Sequence, residues 1–131
     1  MANPNIVGVS TINGVTTYLT PSVNTAVVLL NNTASSGKVY KINQIVAANV
    51  DGSAAYNTTV SLYSNGAQSQ GNAPSSGTAY PIISTASVPA NSSLVVVDKT
   101  TAIYLTEGQS ITVTSSTASK ITYTISYEDI S

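Results

Sequence analysis

Apolar and polar residues alternate at every second position in two long stretches of the chain. Within residues 38–50, one face carries the apolar positions Tyr40, Ile42, Val46, Ala48 and Val50. Near the end of the chain, the same alternation places one set of apolar residues on one face, namely Ile121, Tyr123, Ile125 and Tyr127. A period of two is typical of a β-strand with one buried face. The pattern therefore predicts a long strand over residues 38–50 and a closing strand over residues 121–127.

Shorter stretches indicate further strands. Two are centred on Val60 and Leu62 and on Ile111 and Val113. Residues 94–97 are apolar at every position, which favours a central strand or one covered by a neighbour. Other candidates are residues 6–10, 16–19, 26–30, 80–84 and 102–105. About nine or ten short strands separated by Gly, Asn, Pro and Ser turns predict an all-β chain, a single antiparallel β-sandwich that is jelly-roll-like and spans residues 1–131.

Two segments depart from the strand pattern. Residues 64–78 are polar and uncharged, and they are longer than the usual connection of about two to five residues. Such a segment is either a mobile surface loop or a contact loop that orders against a neighbouring subunit. Residues 1–10 are a candidate N-terminal arm. With Tyr80, these segments supply the predicted partner contacts, which are Asn3, Asn5, Ile6, Asn65, Gln68, Gln70, Asn72 and Tyr80.

The composition argues against an enzyme. The chain has no His and no Cys, and only 7% of its residues are charged. His and Cys supply most of the proton-transfer groups and nucleophiles of active sites. A Ser–Lys dyad would need a Lys with a lowered pKa, and all four Lys lie in polar contexts. Asp51, Asp98, Glu107, Glu128 and Asp129 have no recognisable ligand spacing for Ca²⁺. We therefore predict no catalytic residue, no metal and no cofactor, and we expect Glu128 and Asp129 to pair with Lys38 or Lys41.

The low charge also bears on partners and location. The net charge of −1, without a basic cluster, disfavours nucleic acid as a partner. No stretch approaches the ~18 apolar residues of a membrane span, and the start lacks the features of a secretory signal. We therefore expect a chain that folds in a cytoplasm, at least initially. A nearly uncharged protein repels its copies weakly, which indicates a homo-oligomer or a component of a larger assembly.

The eight Tyr are the only aromatic residues. Tyr40, Tyr123 and Tyr127 are in phase with Ile and Val, so we predict that they pack in the core. Tyr56, Tyr63 and Tyr80 lie near loop edges. Exposed Tyr beside Asn and Gln is common in glycan sites, so a lectin-like adhesin remains an alternative.

Several stretches together resemble small virion structural proteins of tailed phages, especially phages of marine bacteria and cyanobacteria. They are residues 2–7 (ANPNIV), 36–43 (SGKVYKIN), 48–52 (ANVDG), 88–99 (VPANSSLVVVDK), 103–111 (IYLTEGQSI) and 125–130 (ISYEDI). The resemblance covers most of the chain and departs from it at residues 64–78. It implies a virion component that contacts capsid or other virion proteins, with a capsid decoration (cement) protein as the leading interpretation. A tail or neck subunit is the alternative within the particle, and a trimer is one option for the oligomer.

Overall fold

The structure is a computed structural model that describes residues 3–131. This part of the chain forms nine β-strands and one short 3₁₀-helix. The strands are β1 (Ile12–Leu19), β2 (Val27–Asn32), β3 (Val39–Asn49), β4 (Tyr56–Tyr63), β5 (Ala79–Val88), β6 (Ser93–Val97), β7 (Ile103–Leu105), β8 (Gln109–Ser115) and β9 (Ile121–Ile130). The 3₁₀-helix Lys99–Thr101 joins β6 to β7, and Asp98 caps it.

The strands form two antiparallel sheets. Sheet A has the order β1-β9-β3-β6, and β7 also pairs with β3. Sheet B has the order β2-β8-β4-β5. β6 pairs with residues 45–48 of β3, and β7 pairs with residues 40–42, so the two short strands follow one another along the same strand. The prediction of an all-β antiparallel sandwich is confirmed.

The core lies between the two sheets. Sheet A contributes Ile42, Ile45 and Ile125, and sheet B contributes Val60 and Ile111. Tyr123 is fully buried in the same core, while Tyr40 and Tyr127 pack at its margin with their ring centroids 4.9 Å apart. The predicted core positions of these three Tyr are confirmed. Apolar side chains that meet across a sandwich are the main stabilising contribution to such a fold.

Two strand predictions are wrong. Residues 6–10 form no strand, because Asn5 closes a turn in which its carbonyl oxygen accepts a hydrogen bond from the amide of Gly8 at 3.0 Å. The apolar run at residues 94–97 is not a central strand. It belongs to β6, an edge strand of sheet A, and Val95 faces solvent there.

Candidate contact surfaces

The N-terminal segment, residues 3–11, holds two large apolar side chains in solvent. Asn5 orders the turn, because its Oδ1 accepts from the amide of Val7 at 3.0 Å. Ile6 and Val7 are exposed, and Val7 retains 92% of its accessible surface. Asn3 anchors the beginning of the segment, since its Oδ1 accepts from the amide of Glu107 at 3.0 Å. Three of the predicted contact residues therefore lie together in one ordered segment.

The other end of this segment is tied to the end of β9. The amides of Ser10 and Thr11 both donate to the carbonyl oxygen of Ser131, at 2.8 and 3.0 Å. The amide of Ser131 donates in return to the carbonyl oxygen of Thr11 at 3.0 Å. These bonds place the exposed turn at the end of the sandwich where β1 begins and β9 ends. Residues 1 and 2 of the predicted arm lie outside the described residues.

Residues 64–78, the crossing loop, fold against the chain's own sandwich. The amide of Gly71 donates to the carbonyl oxygen of Val28 at 2.8 Å. The amide of Val28 donates to the carbonyl oxygen of Asn72 at 2.9 Å. The loop therefore pairs with the free edge of β2. Gln70 Nε2 donates to the carbonyl oxygen of Leu29 at 3.0 Å and to Thr17 Oγ1 at 3.1 Å, so one side chain links sheet B to sheet A.

Side chains within the crossing loop fix its shape. Asn65 Nδ2 donates to the carbonyl oxygens of Ser75 and Ser76, at 2.8 and 2.5 Å, and Asn65 Oδ1 accepts from the amide of Ala67 at 2.8 Å. Gln68 Nε2 donates to Ser75 Oγ at 3.0 Å. The polar side chains that mark this segment in the sequence thus satisfy its backbone. Contact with a neighbouring subunit through Asn65, Gln68, Gln70 or Asn72 stays a prediction.

The crossing loop forms a third layer over part of sheet B. Val28, Thr112 and Ser61 are cross-strand neighbours on β2, β8 and β4, and all three are buried. Thr112 and Ser61 lie on the face of sheet B that points away from the core, because they alternate with core residues such as Ile111. The hydroxyl of Ser110, next on β8, donates to the carbonyl oxygen of Asn65 in the loop at 2.6 Å. The loop therefore covers the outer face of sheet B at these strands.

The outer face of sheet A is uncovered across its middle, and sequence reasoning missed it as a site. Cross-strand partners form one row over all four strands, which runs Tyr18, Thr124, Val46 and Val95. The two ends of the row are exposed, with Tyr18 at 72% and Val95 at 51%, while Thr124 and Val46 are half-buried. The signal was present in the apolar run at residues 94–97, whose second apolar face points to solvent.

The structure does not bring the three loop-edge Tyr into one groove. Tyr56 and Tyr63 occupy opposite ends of β4, about 23 Å apart at ~3.3 Å per residue. The hydroxyl of Tyr56 donates to Asp51 Oδ2 at 3.0 Å, and that of Tyr63 donates to the carbonyl oxygen of Gly77 at 3.3 Å. Tyr80 is 60% exposed on the edge strand β5. The predicted contact residue Tyr80 therefore stands apart from Tyr56.

Oppositely charged side chains pair with one another. Lys38 Nζ lies 3.1 Å from Asp129 Oδ2, and Lys41 Nζ lies 3.9 Å from Glu128 Oε2, so the predicted pairing is confirmed. Lys120 Nζ lies 2.9 Å from Asp51 Oδ2. Hydrogen bonds from Ser53, and then from Lys120 and Tyr56, hold the pKa of the Asp51 carboxyl well below its usual range.

Other kinds of site are absent from the described residues or shallow. Among residues 3–131, no three His, Cys, Asp or Glu side chains come together in a way that could hold a metal ion. The same residues include no helix long and apolar enough to cross a membrane. A shallow, open depression is lined by uncharged residues, which are Ala48, Asn49, Val50, Asn91, Ser92 and Ser93.

Comparisons of this chain with protein-family models, with curated proteins and with solved structures find no match. The resemblance to phage virion proteins therefore stays a prediction.

Proposed function

We propose that this chain is a non-enzymatic structural protein of a phage virion, and specifically a capsid decoration protein that stabilises the head. One observation carries the proposal. The prominent surface features are apolar side chains held in solvent on ordered backbone, such as Val7 and Tyr18. Polar and titratable side chains instead bond to the chain itself, as Asn65 and Asp51 do. Exposed apolar surface of this kind is typical of a protein that docks on others.

The strand order supports the same proposal. When β6 and β7 are counted as one interrupted strand of sheet A, each sheet has four strand positions. The chain then passes between the sheets in the order of an eight-stranded jelly roll, and we infer that architecture here. Jelly rolls are common in viral capsid proteins and also in lectins. The fold alone therefore favours a particle component or a glycan-binding module over most other classes.

The proposed mechanism is added contact area at joints between capsid subunits. The turn that carries Ile6 and Val7 is the first candidate for the docking element. Each apolar side chain that leaves water on docking contributes about 25 cal/mol per Å² of buried area. A single contact of this size is weak, but repeated contacts on a symmetric shell, and between neighbouring copies, add avidity. The shell would then resist the outward pressure of packaged DNA.

Two alternatives remain as outcomes of the test. A tail or neck subunit would use the same apolar contacts in a different ring of the particle. A lectin-like adhesin would use Tyr80, which is exposed, but Tyr56 lies at the other end of β4 and its hydroxyl donates to Asp51.

The decisive experiment is a binding assay with expanded capsids that lack this protein, run beside a broad glycan array. We expect saturable capsid binding at a stoichiometry that matches the shell's symmetry, together with a rise in the capsid melting temperature. The double variant Ile6→Ser with Val7→Ser should weaken binding at least tenfold. Val50→Ser is the matched control. Val50 is also a well-exposed Val, but it follows the last residue of β3, at the end of the sandwich opposite to the turn with Ile6 and Val7. Glycan binding without capsid binding would overturn the proposal. Binding to neither would also overturn it and would favour a tail or neck subunit.

A further inference from the structure

The two outer faces of the sandwich differ in how they are covered. The crossing loop bonds the outer face of sheet B at Ser110, and Ser61 and Thr112 on the same face are buried. No segment of the described chain does the same over the middle of sheet A. Four of the exposed large apolar side chains belong to the outward-facing positions of sheet A, and they are Ile12, Tyr18, Val95 and Tyr104. Exposed apolar residues that cluster on one face of a sheet indicate a surface for association.

The rows on this face are nearly free of charge. The row of Tyr18 and Val95 lies between a row that contains Thr16, Ser126 and Gln44 and a row that contains Thr122, Ala48 and Ser93. Hydroxyl groups bond to each other within the face, since Thr16 Oγ1 donates to Ser126 Oγ at 3.2 Å.

Only one charged pair occurs among these outward positions, and it lies toward one end of the face. It consists of Lys41 and Glu128, which are cross-strand partners on β3 and β9 and offset each other. Two copies of this face can therefore approach without like-charge repulsion at the centre. An acidic or basic partner would find no opposite net charge here, so the face fits a partner that is itself uncharged.

We propose that two copies of this chain pack face to face through the outer faces of their sheets A, about a two-fold axis parallel to the strands. With this symmetry, the row from Tyr18 to Val95 in one copy runs in the opposite direction to the same row in the other copy. Tyr18 of one copy then packs against Val95 of the partner subunit, and the half-buried centres of the two rows, Thr124 and Val46, face each other. A protruding Tyr meets a smaller Val at both ends, so the same patch is complementary to itself, as an isologous interface requires.

The size of the face suits a weak dimer. Four strands at ~4.8 Å spacing and about eight residues at ~3.3 Å each give a face of roughly 500 Å² per copy. Two copies would bury about 1,000 Å² in total, which is the size of a weak, transient interface. We therefore expect a dimer whose population depends on protein concentration, not an obligate one. This proposal does not depend on a role in a virion.

The first test is the oligomeric state of the purified full chain, measured by sedimentation velocity from micromolar to millimolar concentration. We expect a monomer–dimer equilibrium. Tyr18→Ser should weaken it at least tenfold, because the dimer loses the contact of Tyr18 with Val95 of the partner subunit twice, and Tyr is enriched among the residues that carry interface affinity. Ile82→Ser is the control, since Ile82 is also exposed but lies on β5 of sheet B. A chain that stays monomeric throughout, or equal weakening by both variants, would overturn the proposal.

A second test examines the symmetry axis. The chain has no Cys, so single Cys variants report one contact each. In a mixture of Tyr18→Cys with Val95→Cys, mild oxidation should give disulfide-linked dimers in higher yield than either variant gives alone. Higher yield from Tyr18→Cys alone would contradict the axis parallel to the strands. Far-ultraviolet circular dichroism of each variant checks that the sandwich is folded.

Discussion

Replacement of Gly66 by Ala tests whether the crossing loop is packed as a third layer on sheet B. A Cβ atom at position 66 would lie 2.5 Å from the carbonyl oxygen of Asn32 and 2.6 Å from that of Gln109. Ordinary contact begins at 3.4 Å, so the new methyl group would be about 0.9 Å too close to two backbone atoms in a closely packed structure. Both oxygens belong to paired strands, and strands yield less easily than a side chain. The loop must therefore move away from the sheet.

The expected destabilisation follows from the hydrogen bonds beside Gly66. The carbonyl oxygen of Gly66 accepts from Asn31 Nδ2 at 3.0 Å, and that of Asn65 accepts from the Ser110 hydroxyl at 2.6 Å. Ser110 is fully buried, so its hydroxyl would lose an acceptor in a place that water does not reach. One ordinary hydrogen bond contributes about 1 kcal/mol, and a buried polar group without a partner costs about 1–3 kcal/mol. The free energy of unfolding should fall by about 2–4 kcal/mol.

Urea unfolding and a thermal melt measure this change. For a domain of this size, the loss corresponds to a decrease in Tm on the order of 10 °C. Gly14→Ala is the control, because a Cβ atom at Gly14 meets no atom within 4 Å. It should change stability by no more than about 0.5 kcal/mol. If Gly66→Ala unfolds at the same urea concentration as the wild type, the loop is not packed on sheet B and the reasoning is wrong.

Two further predictions concern single side chains. Tyr123→Phe removes a hydroxyl that bonds Thr58 Oγ1 and the carbonyl oxygen of Thr114, so urea unfolding at pH 7 should show a loss of about 1–2 kcal/mol. Burial raises the pKa of Tyr123 to about 12 from 10.0. The contribution of the hydroxyl to stability is therefore complete below pH 10 and is lost as the pH rises toward 12. Unfolding curves of wild type and Tyr123→Phe that keep the same separation from pH 10 to 12 would contradict this. Asp51→Asn should lower the Tm at pH 7, because hydrogen bonds from Ser53, Lys120 and Tyr56 lower the carboxyl pKa. The lowered pKa of Asp51 contributes stability above about pH 4 that is lost at lower pH. The difference in Tm between Asp51→Asn and wild type should therefore narrow as the pH falls toward about 2. A constant difference would refute this.

The sequence predicts the long core strands well and the edges of the sheets less well. β9 keeps one buried face, so its alternation is clear. The predicted apolar face of β3 is wrong beyond Ile42, because a register shift between Ile42 and Gln44 turns Ile45 and Ala47 into the core and leaves Val46 and Ala48 facing outward. β1 begins at Ile12, four residues before the predicted start, because its backbone pairs with β9 even though Asn13 and Gly14 are poor strand formers. Backbone pairing with a neighbouring strand sets where an edge strand begins, and the local pattern of apolar residues does not show that pairing.

The candidate surfaces could be predicted only in part. The crossing loop is recognisable from its length and polar composition, but its contact with Val28 depends on where the sandwich places β2. The apolar run at residues 94–97 indicates burial of both faces. In the structure only one face of β6 meets the core, and Val95 is left on the outside. A single sequence does not distinguish a side chain buried within its own chain from one available to a second chain.

The two proposals together have a geometric consequence. A two-fold axis parallel to the strands keeps the same end of both sandwiches on the same side of the dimer. The exposed turn with Ile6 and Val7 lies at the end where β1 begins, so both copies of the turn would face one surface and could bind it at once. Binding at two points raises the affinity through the effective concentration of the second contact. Thr124→Lys places a cation near the centre of the dimer face and should therefore weaken capsid binding as well as dimerisation. Thr114→Lys, on the outward side of sheet B, should weaken neither. Capsid binding unchanged by Thr124→Lys in a chain shown to be monomeric would mean that each copy docks alone.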